Sequence, residues 1–143
     1  GPMFMSFSLN IYCQQTPHGS FIMGRGDANE PRDLRVTSSW HFMEEMAKTC
    51  TELLPPLKEL RVVRQWAGLY NISPDRQPIY GPVKEVGGFY LACGYSGHGF
   101  MFGPVTGVVI AESILGETPT IRIDMLDKDR FERGELLLEP SVV

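Results

Sequence analysis

The sequence concentrates its chemistry in one segment, Gly94-Tyr95-Ser96-Gly97-His98-Gly99-Phe100. It lies between an apolar run, Phe89 to Cys93, and an apolar stretch that begins near Pro104. Strand, glycine-rich turn and helix in that order make an electropositive corner. A helix start leaves backbone N–H groups unpaired and carries a partial positive charge, and glycines let a ligand approach those groups closely. Such a corner suits an anion, or a polar ring edge that gains negative charge during a reaction. Two commoner phosphate sites do not fit. Gly97-His98-Gly99 lacks the later glycine and downstream acidic residue of the dinucleotide fingerprint, and no phosphate-loop lysine is present. Taken alone, the pattern is equally that of a tight turn lined with glycine.

Other reactive side chains are scattered. Cys13, Cys50 and Cys93 form no CxxC, and His18, His41 and His98 are dispersed, so no metal site is expected and the thiols read as reduced core filler. Thirteen Lys and Arg against seventeen Asp and Glu give a net charge of −4 without a dense basic stripe, which sets duplex nucleic acid aside as a partner. The longest apolar run, near Val105 to Ala111, is too short to span a bilayer. The amino end lacks the basic start and long apolar stretch of a secretory signal, and the expected location is cytoplasmic. With 143 residues, 43% of them hydrophobic, the chain has the size of one domain or of a piece of a larger protein.

The elements that must position the glycine-rich segment follow from patterning. Residues 7–24 read as a β-hairpin, with Ser8, Asn10 and Tyr12 alternating with Leu9, Ile11 and Cys13 and a turn at Thr16-Pro17-His18-Gly19-Ser20. Residues 24–35 read as a loop. Ser38 or Ser39 can cap a helix whose apolar positions, Trp40 to Leu54, recur at helical spacing until Pro55-Pro56 ends it. Glu44, Glu45 and Lys48 then solvate its other face. From Leu60 through Val62, Val63 and Trp66 to Tyr70 the pattern turns extended. Pro74-Asp75 forms a turn, Asp75 stabilising it by local hydrogen bonding, and both Asp75 and Arg64 read as structural ion-pair or turn residues. Pro78 to Tyr80 starts a short extended piece, and Gly87-Gly88 connects it to Phe89–Cys93, whose apolar run predicts a strand covered on both faces. Pro104 suits a first helical position, so the second helix is expected from there to Leu115. Gly107 and Ala111 would let its face approach another backbone closely. The acidic tail shows no long periodic pattern.

The run Gly88 to Phe100 resembles the flavin-contacting segment near the carboxyl end of the D-amino-acid-oxidase-like FAD-dependent oxidoreductases, in the branch of sarcosine oxidase and its beta subunits, glycine oxidases and dye-linked proline dehydrogenases. Three more pieces agree in order: Tyr12 to Gly24 resembles a substrate-domain hairpin, Trp66 to Tyr70 leading to Ser73-Pro74-Asp75 resembles the strand beside the flavin, and Gly116 to Phe131 resembles the family's tail. The similarity implies an α+β fold: antiparallel substrate-domain strands with one helix, plus the last strand and helix of an FAD domain. The implied divisions are a partial substrate-binding domain at 1–86, the strand–turn–helix at 87–116 and a tail at 117–143.

The resemblance further implies FAD as cofactor and oxidation of an amino acid or secondary amine (sarcosine, proline or glycine type) by hydride transfer to flavin. Gly97, His98, Gly99, Phe100 and Met101 are the implied cofactor-binding residues, their amides stabilising charge on the reduced ring. Tyr70 and Tyr12 match tyrosines that face the substrate. Met101 stands where monomeric sarcosine oxidases carry a lysine for the substrate carboxylate, so that contact must come from elsewhere. Gly68 stands where those enzymes attach flavin through cysteine, which removes that linkage here, and Tyr70 replaces an arginine of the glycine oxidases. The amino-terminal Rossmann unit of these enzymes has no counterpart in the chain. The fragment alone is therefore expected to be inactive, to lack tightly held FAD and to need a complementing partner or to self-associate, with apolar surface bared around Phe89 to Cys93 and the last helix. The alternative is a non-catalytic small subunit or interaction module reusing this half-fold.

Overall fold

The computed structural model describes residues 1–27 and 29–138, which divide into two compact units, 1–69 and 70–138; residues 139–143 of the expected tail lie outside the described residues. The fold is α+β with antiparallel sheets. No helix among the described residues is long and apolar enough to cross a membrane.

The first unit holds a three-stranded antiparallel sheet, β1 (Met3–Ser6), β2 (Ile11–Gln15) and β3 (Phe21–Gly24), in the order β1-β2-β3. The expected hairpin is present as β2 and β3, closed by Thr16 accepting from the Gly19 amide at 3.0 Å with Gly19 at φ 87°. Two corrections apply. Residues 7–10 form a turn rather than strand, with the Asn10 amide donating to the Phe7 carbonyl at 3.3 Å and Asn10 in the left-handed region. Ahead of that turn lies β1, whose Met-Phe-Met run carries no polar alternation to announce a strand and is ordered by its ladder with β2. Period two then does its work: Ile11 and Cys13 are buried while Tyr12 is exposed.

Helix α1 (Trp40–Leu53) starts as predicted, with the Phe42 amide donating to Ser39 Oγ at 3.0 Å, and gives way to a 3-10 helix at Pro55–Glu59. Met46 and Cys50 face inward and join Ile11 and Leu57 in one cluster, flanked by Phe21, Met23, Phe42 and Leu54. Burial raises the Cys50 thiol to about 11, with Cys13 adding to the shift. The opposite face is less idle than expected, because Glu45 pairs with Arg25 and Glu44 accepts from Trp40 Nε1 at 3.1 Å. Residues 60–69 were expected to be extended, yet carry no strand among the described residues. Leu60, Val62, Val63 and Trp66 there are all more than half exposed, so no ladder or core orders them.

The second unit is built on β4 (Ile79–Pro82) and β5 (Tyr90–Cys93), paired antiparallel, with α2 (Gly99–Leu115) and two 3-10 turns, Asp124–Leu126 and Lys128–Arg130. Gly88, at φ 76°, closes the connection between the strands. Here too the structure corrects the sequence reading. Phe89 is 51% exposed and Ala92 is exposed, so the apolar run is not covered on both faces; β5 has one strand neighbour, β4. Helix α2 begins at Gly99, not near Pro104. Pro104 sits inside it, where it removes the hydrogen bond to the Phe100 carbonyl and its ring crowds that carbonyl, while its fixed φ already suits a helix. The face of Gly107 meets nothing within 4 Å of an added Cβ.

Candidate functional site

Within the second unit, the link from β5 to α2 brings the sequence-predicted glycine-rich residues together. Gly94 (φ 71°), Ser96 (φ 52°) and Gly97 (φ 102°) are left-handed, a conformation glycine accepts freely and serine does not. The Ser96 amide donates to the Asn71 carbonyl at 3.1 Å, and Ile72 bridges Tyr95. Ser96 Oγ accepts from the Ser73 amide at 3.3 Å and donates to the Gly94 carbonyl at 3.2 Å. The chain then reverses at His98, whose amide donates to the Tyr95 carbonyl at 2.9 Å, and enters α2.

That reversal sorts the amides of the turn. Those of Ser96 and His98 are occupied by carbonyls. Those of Gly99, Phe100 and Met101 have no backbone acceptor among the described residues, as the first turn of a helix requires, and that of Gly97, ahead of the His98 cap position, has none either. No side chain caps this helix and no acidic residue stands in its first turn, so its partial positive charge is uncompensated. Gly97 is exposed and Phe100 fully so. The His98 ring lies 6.0 Å from that of Phe102, tilted 43°.

Tyr70 is placed against this turn. A Cβ on Gly97 would fall 3.0 Å from two carbons of the Tyr70 ring, tighter than ordinary contact, so glycine is what lets the ring lie there. Tyr70 is half exposed. Tyr12 lies in the first unit, on β2 opposite Gly24, where a Cβ on Gly24 would fall 2.5 Å from the Tyr12 hydroxyl oxygen.

Behind the turn, Tyr80 and Tyr95 meet edge to face at 6.0 Å, and both hydroxyls reach Thr106 Oγ1, at 2.9 and 3.3 Å. Thr106 in turn donates to the Phe102 carbonyl at 2.8 Å, tying the start of α2 to both tyrosines. Beneath the Ser73-Pro74-Asp75 turn lies a wholly buried ion pair, Asp75 with Arg130. Burial alone would raise the Asp75 carboxyl; the Arg130 guanidinium and the Gln77 and Leu137 amides override it and hold it at about 2. Asp75 is thus the ion-pair and turn residue expected, with the Gln77 amide donating to it at 3.1 Å. Arg64 instead lies 5.8 Å from the Trp66 ring centre. Sequence reasoning missed Asn71, Ser73, Thr106 and Arg130. Only the Ser-Pro-Asp turn signal pointed near any of them.

Chemically, the turn offers a row of free amides at a helix dipole's positive end, beside an aromatic ring and without a competing carboxylate. It fits an electron-rich, planar edge. Among the described residues no group of three or more His, Cys, Asp or Glu side chains could hold a metal ion.

A family model described as FAD dependent oxidoreductase matches residues 2–113. The chain is 30% identical to hydrogen cyanide synthase subunit HcnC of Pseudomonas aeruginosa over 86% of its own length and 29% of that protein's. It is 30% identical to sarcosine oxidase subunit beta of Rhodobacter capsulatus, over 94% of the chain and 32% of the relative. Among solved structures, L-proline dehydrogenase from P. horikoshii superposes with a TM-score of 0.83 at 40% identity, covering 94% of this chain and 36% of that one. The chain thus spans about a third of the length of the relatives it matches.

Proposed function

We propose that this chain, which belongs to the FAD-dependent oxidoreductase family, supplies the carboxyl-terminal portion of an enzyme that oxidises an amino acid or secondary amine. In this reading residues 87–116 complete an FAD domain, 1–86 contribute to the substrate domain and 117–143 form the tail. The carrying observation is the uncapped start of α2 with its free amides at Gly97, Gly99, Phe100 and Met101.

When bound, the flavin would accept hydride from the α C–H of the amine. The chain's own residues do electrostatic work. The Gly97 amide and the Gly99, Phe100 and Met101 amides at the start of α2 would hold the ring edge where negative charge develops, and would need no reorganisation to stabilise it. His98 reverses the chain so that these amides come free, its own amide being spent on Tyr95. Tyr70, packed on Gly97, would offer its hydroxyl to the substrate beside that edge, and Tyr12 is the second substrate-facing tyrosine of this reading. Met101 carries no charge, so a substrate carboxylate is held by a residue other than Met101. The dinucleotide-binding portion is supplied either by the rest of a longer polypeptide or by a complementing subunit. Two features support that need: α2 is apolar on nearly all sides, the pattern of a covered helix, and Phe100, Met101, Ile114 and Leu115 lie exposed.

Flavin content tests the reading. Purified with a dinucleotide-binding portion, the protein should carry flavin that bleaches anaerobically with one of sarcosine, proline or glycine. The 143-residue chain alone should carry none, and stoichiometric flavin on it would refute the division of labour. Gly97→Ala, which strains a φ of 102° and presses on Tyr70, should weaken flavin binding by roughly tenfold.

A further inference from the structure

The tail contributes one side chain with no local signal. Arg130 is wholly buried and every one of its N–H groups has an acceptor. Nε and Nη2 reach the two oxygens of Asp75 at 2.8 and 2.9 Å. Nη1 donates to the Leu126 and Asp127 carbonyls at 2.7 and 3.1 Å, and Nη2 also to the Gln77 carbonyl at 3.1 Å. Taking a guanidinium and a carboxylate out of water is costly, and apolar residues of the same volume often stabilise a fold as well or better. What the forked pair supplies is fixed geometry: two parallel hydrogen bonds set both distance and orientation.

That geometry passes directly to the glycine-rich turn. Ser73 Oγ donates to the Gln77 carbonyl at 2.7 Å and lies 3.3 Å from Asp75 Oδ1, so both ends of the Ser73–Gln77 loop are held to the pair. The Ser73 amide then donates to Ser96 Oγ, and the Ser73 Cβ lies 3.3 Å from where a Cβ on Gly94 would stand. Ser96 is a residue with a Cβ held at φ 52° between two left-handed glycines. Such a conformation persists only where surrounding contacts dictate it. The contacts that do so come from Asn71 and Ser73.

We propose that the Arg130–Asp75 pair is a positioning device for the flavin-facing turn: it fixes the Ser73–Gln77 loop, which holds Ser96 left-handed and so aims the Gly97 and Gly99 amides. The proposal rests on the reading of that turn given under the proposed function. Arg130 and Asp75 are wholly buried and act through Ser73 and Ser96.

The test uses Ser73→Ala, Asp75→Asn and Arg130→Lys with two readouts. In the flavin-free 143-residue chain, hydrogen exchange of the Ser96 and His98 amides should accelerate about tenfold in each variant, the loss expected when supporting hydrogen bonds go, while α1 amides keep their wild-type rates. In the flavin-loaded protein, each variant should alter the visible flavin spectrum and make the flavin harder to reduce. Ser73→Ala leaves the buried pair intact, so it reports even if Asp75→Asn fails to fold. Arg130→Lys keeps the charge but loses the fork, and should not rescue. A lowered melting temperature with Ser96 exchange, spectrum and potential all unmoved would overturn the proposal. A wild-type protein without flavin would defeat the functional reading instead, and the exchange readout would still decide the positioning role.

Discussion

The unit of residues 1–69 is ordered around an apolar cluster, Ile11, Met46, Cys50 and Leu57, contributed by a strand, a helix and a 3-10 turn. In residues 70–138 the buried residues include the apolar Tyr80 and Val109 and the polar Ser73, Asp75 and Arg130. Apolar burial is non-directional and tolerates small shifts as long as area stays covered. A forked ion pair and hydroxyl bonds do not tolerate them, because each has a preferred distance and angle. The unit that carries the free amides is thus held by directional contacts, and the unit without them by packing. Where a site must keep donors aimed within a fraction of an ångström, directional support is the better match.

The contrast breaks most readily at Arg130. Arg130→Met removes one partner and leaves a buried carboxylate, which should destabilise the second unit by about 3–5 kcal/mol. Hydrogen exchange of β5 amides during denaturant titration would measure it. Both tryptophans, Trp40 and Trp66, lie in the first unit, so their fluorescence serves as the internal control. A loss well under 1 kcal/mol would mean that packing, not the pair, holds this unit.

Acid probes the same pair without mutation. The Asp75 carboxyl is depressed in the folded chain to about 2, below its ordinary 3.8. Its contribution is therefore fully present above the ordinary value and is lost as pH falls from there through about 2. Protection of the β5 amides, taken relative to their intrinsic exchange rate at each pH, should fall across that window, and Asp75→Asn should flatten the response. The cluster in the first unit has no carboxylate, and α1 should respond less.

The smallest expected effect sharpens the other side of the comparison. Ile11→Val removes one methylene from the apolar cluster and should cost about 1 kcal/mol, read from the tryptophan signal in urea. The exchange rates of Ser96 and His98 in the second unit should not move.

Much of the local structure was legible from the sequence. The Ser39 cap, the helical spacing of Met46 and Cys50, the turn glycines at Gly19 and Gly88 and the alternation of Ile11 and Cys13 each depend on near neighbours, and each is found as read. Other features escaped the sequence where near neighbours do not decide. Strand β1 owes its existence to pairing with β2, the burial expected of Phe89–Cys93 needed a cover that β4 and α2 do not supply, and α2 overrode the preference of Pro104 for a first position.

The glycine-rich turn itself was also visible, because left-handed backbone and free helix-start amides are properties of a few consecutive residues. Which amides stay free was not. That depended on Asn71 and Tyr95 claiming those of Ser96 and His98. By itself the sequence determined the β2–β3 hairpin, α1 and the family resemblance, since propensity, capping and motif act over a handful of positions. Only the tertiary structure decided the support of the turn: Arg130 meets Asp75 across 55 positions, and a contact between residues so far apart leaves no period or spacing to read.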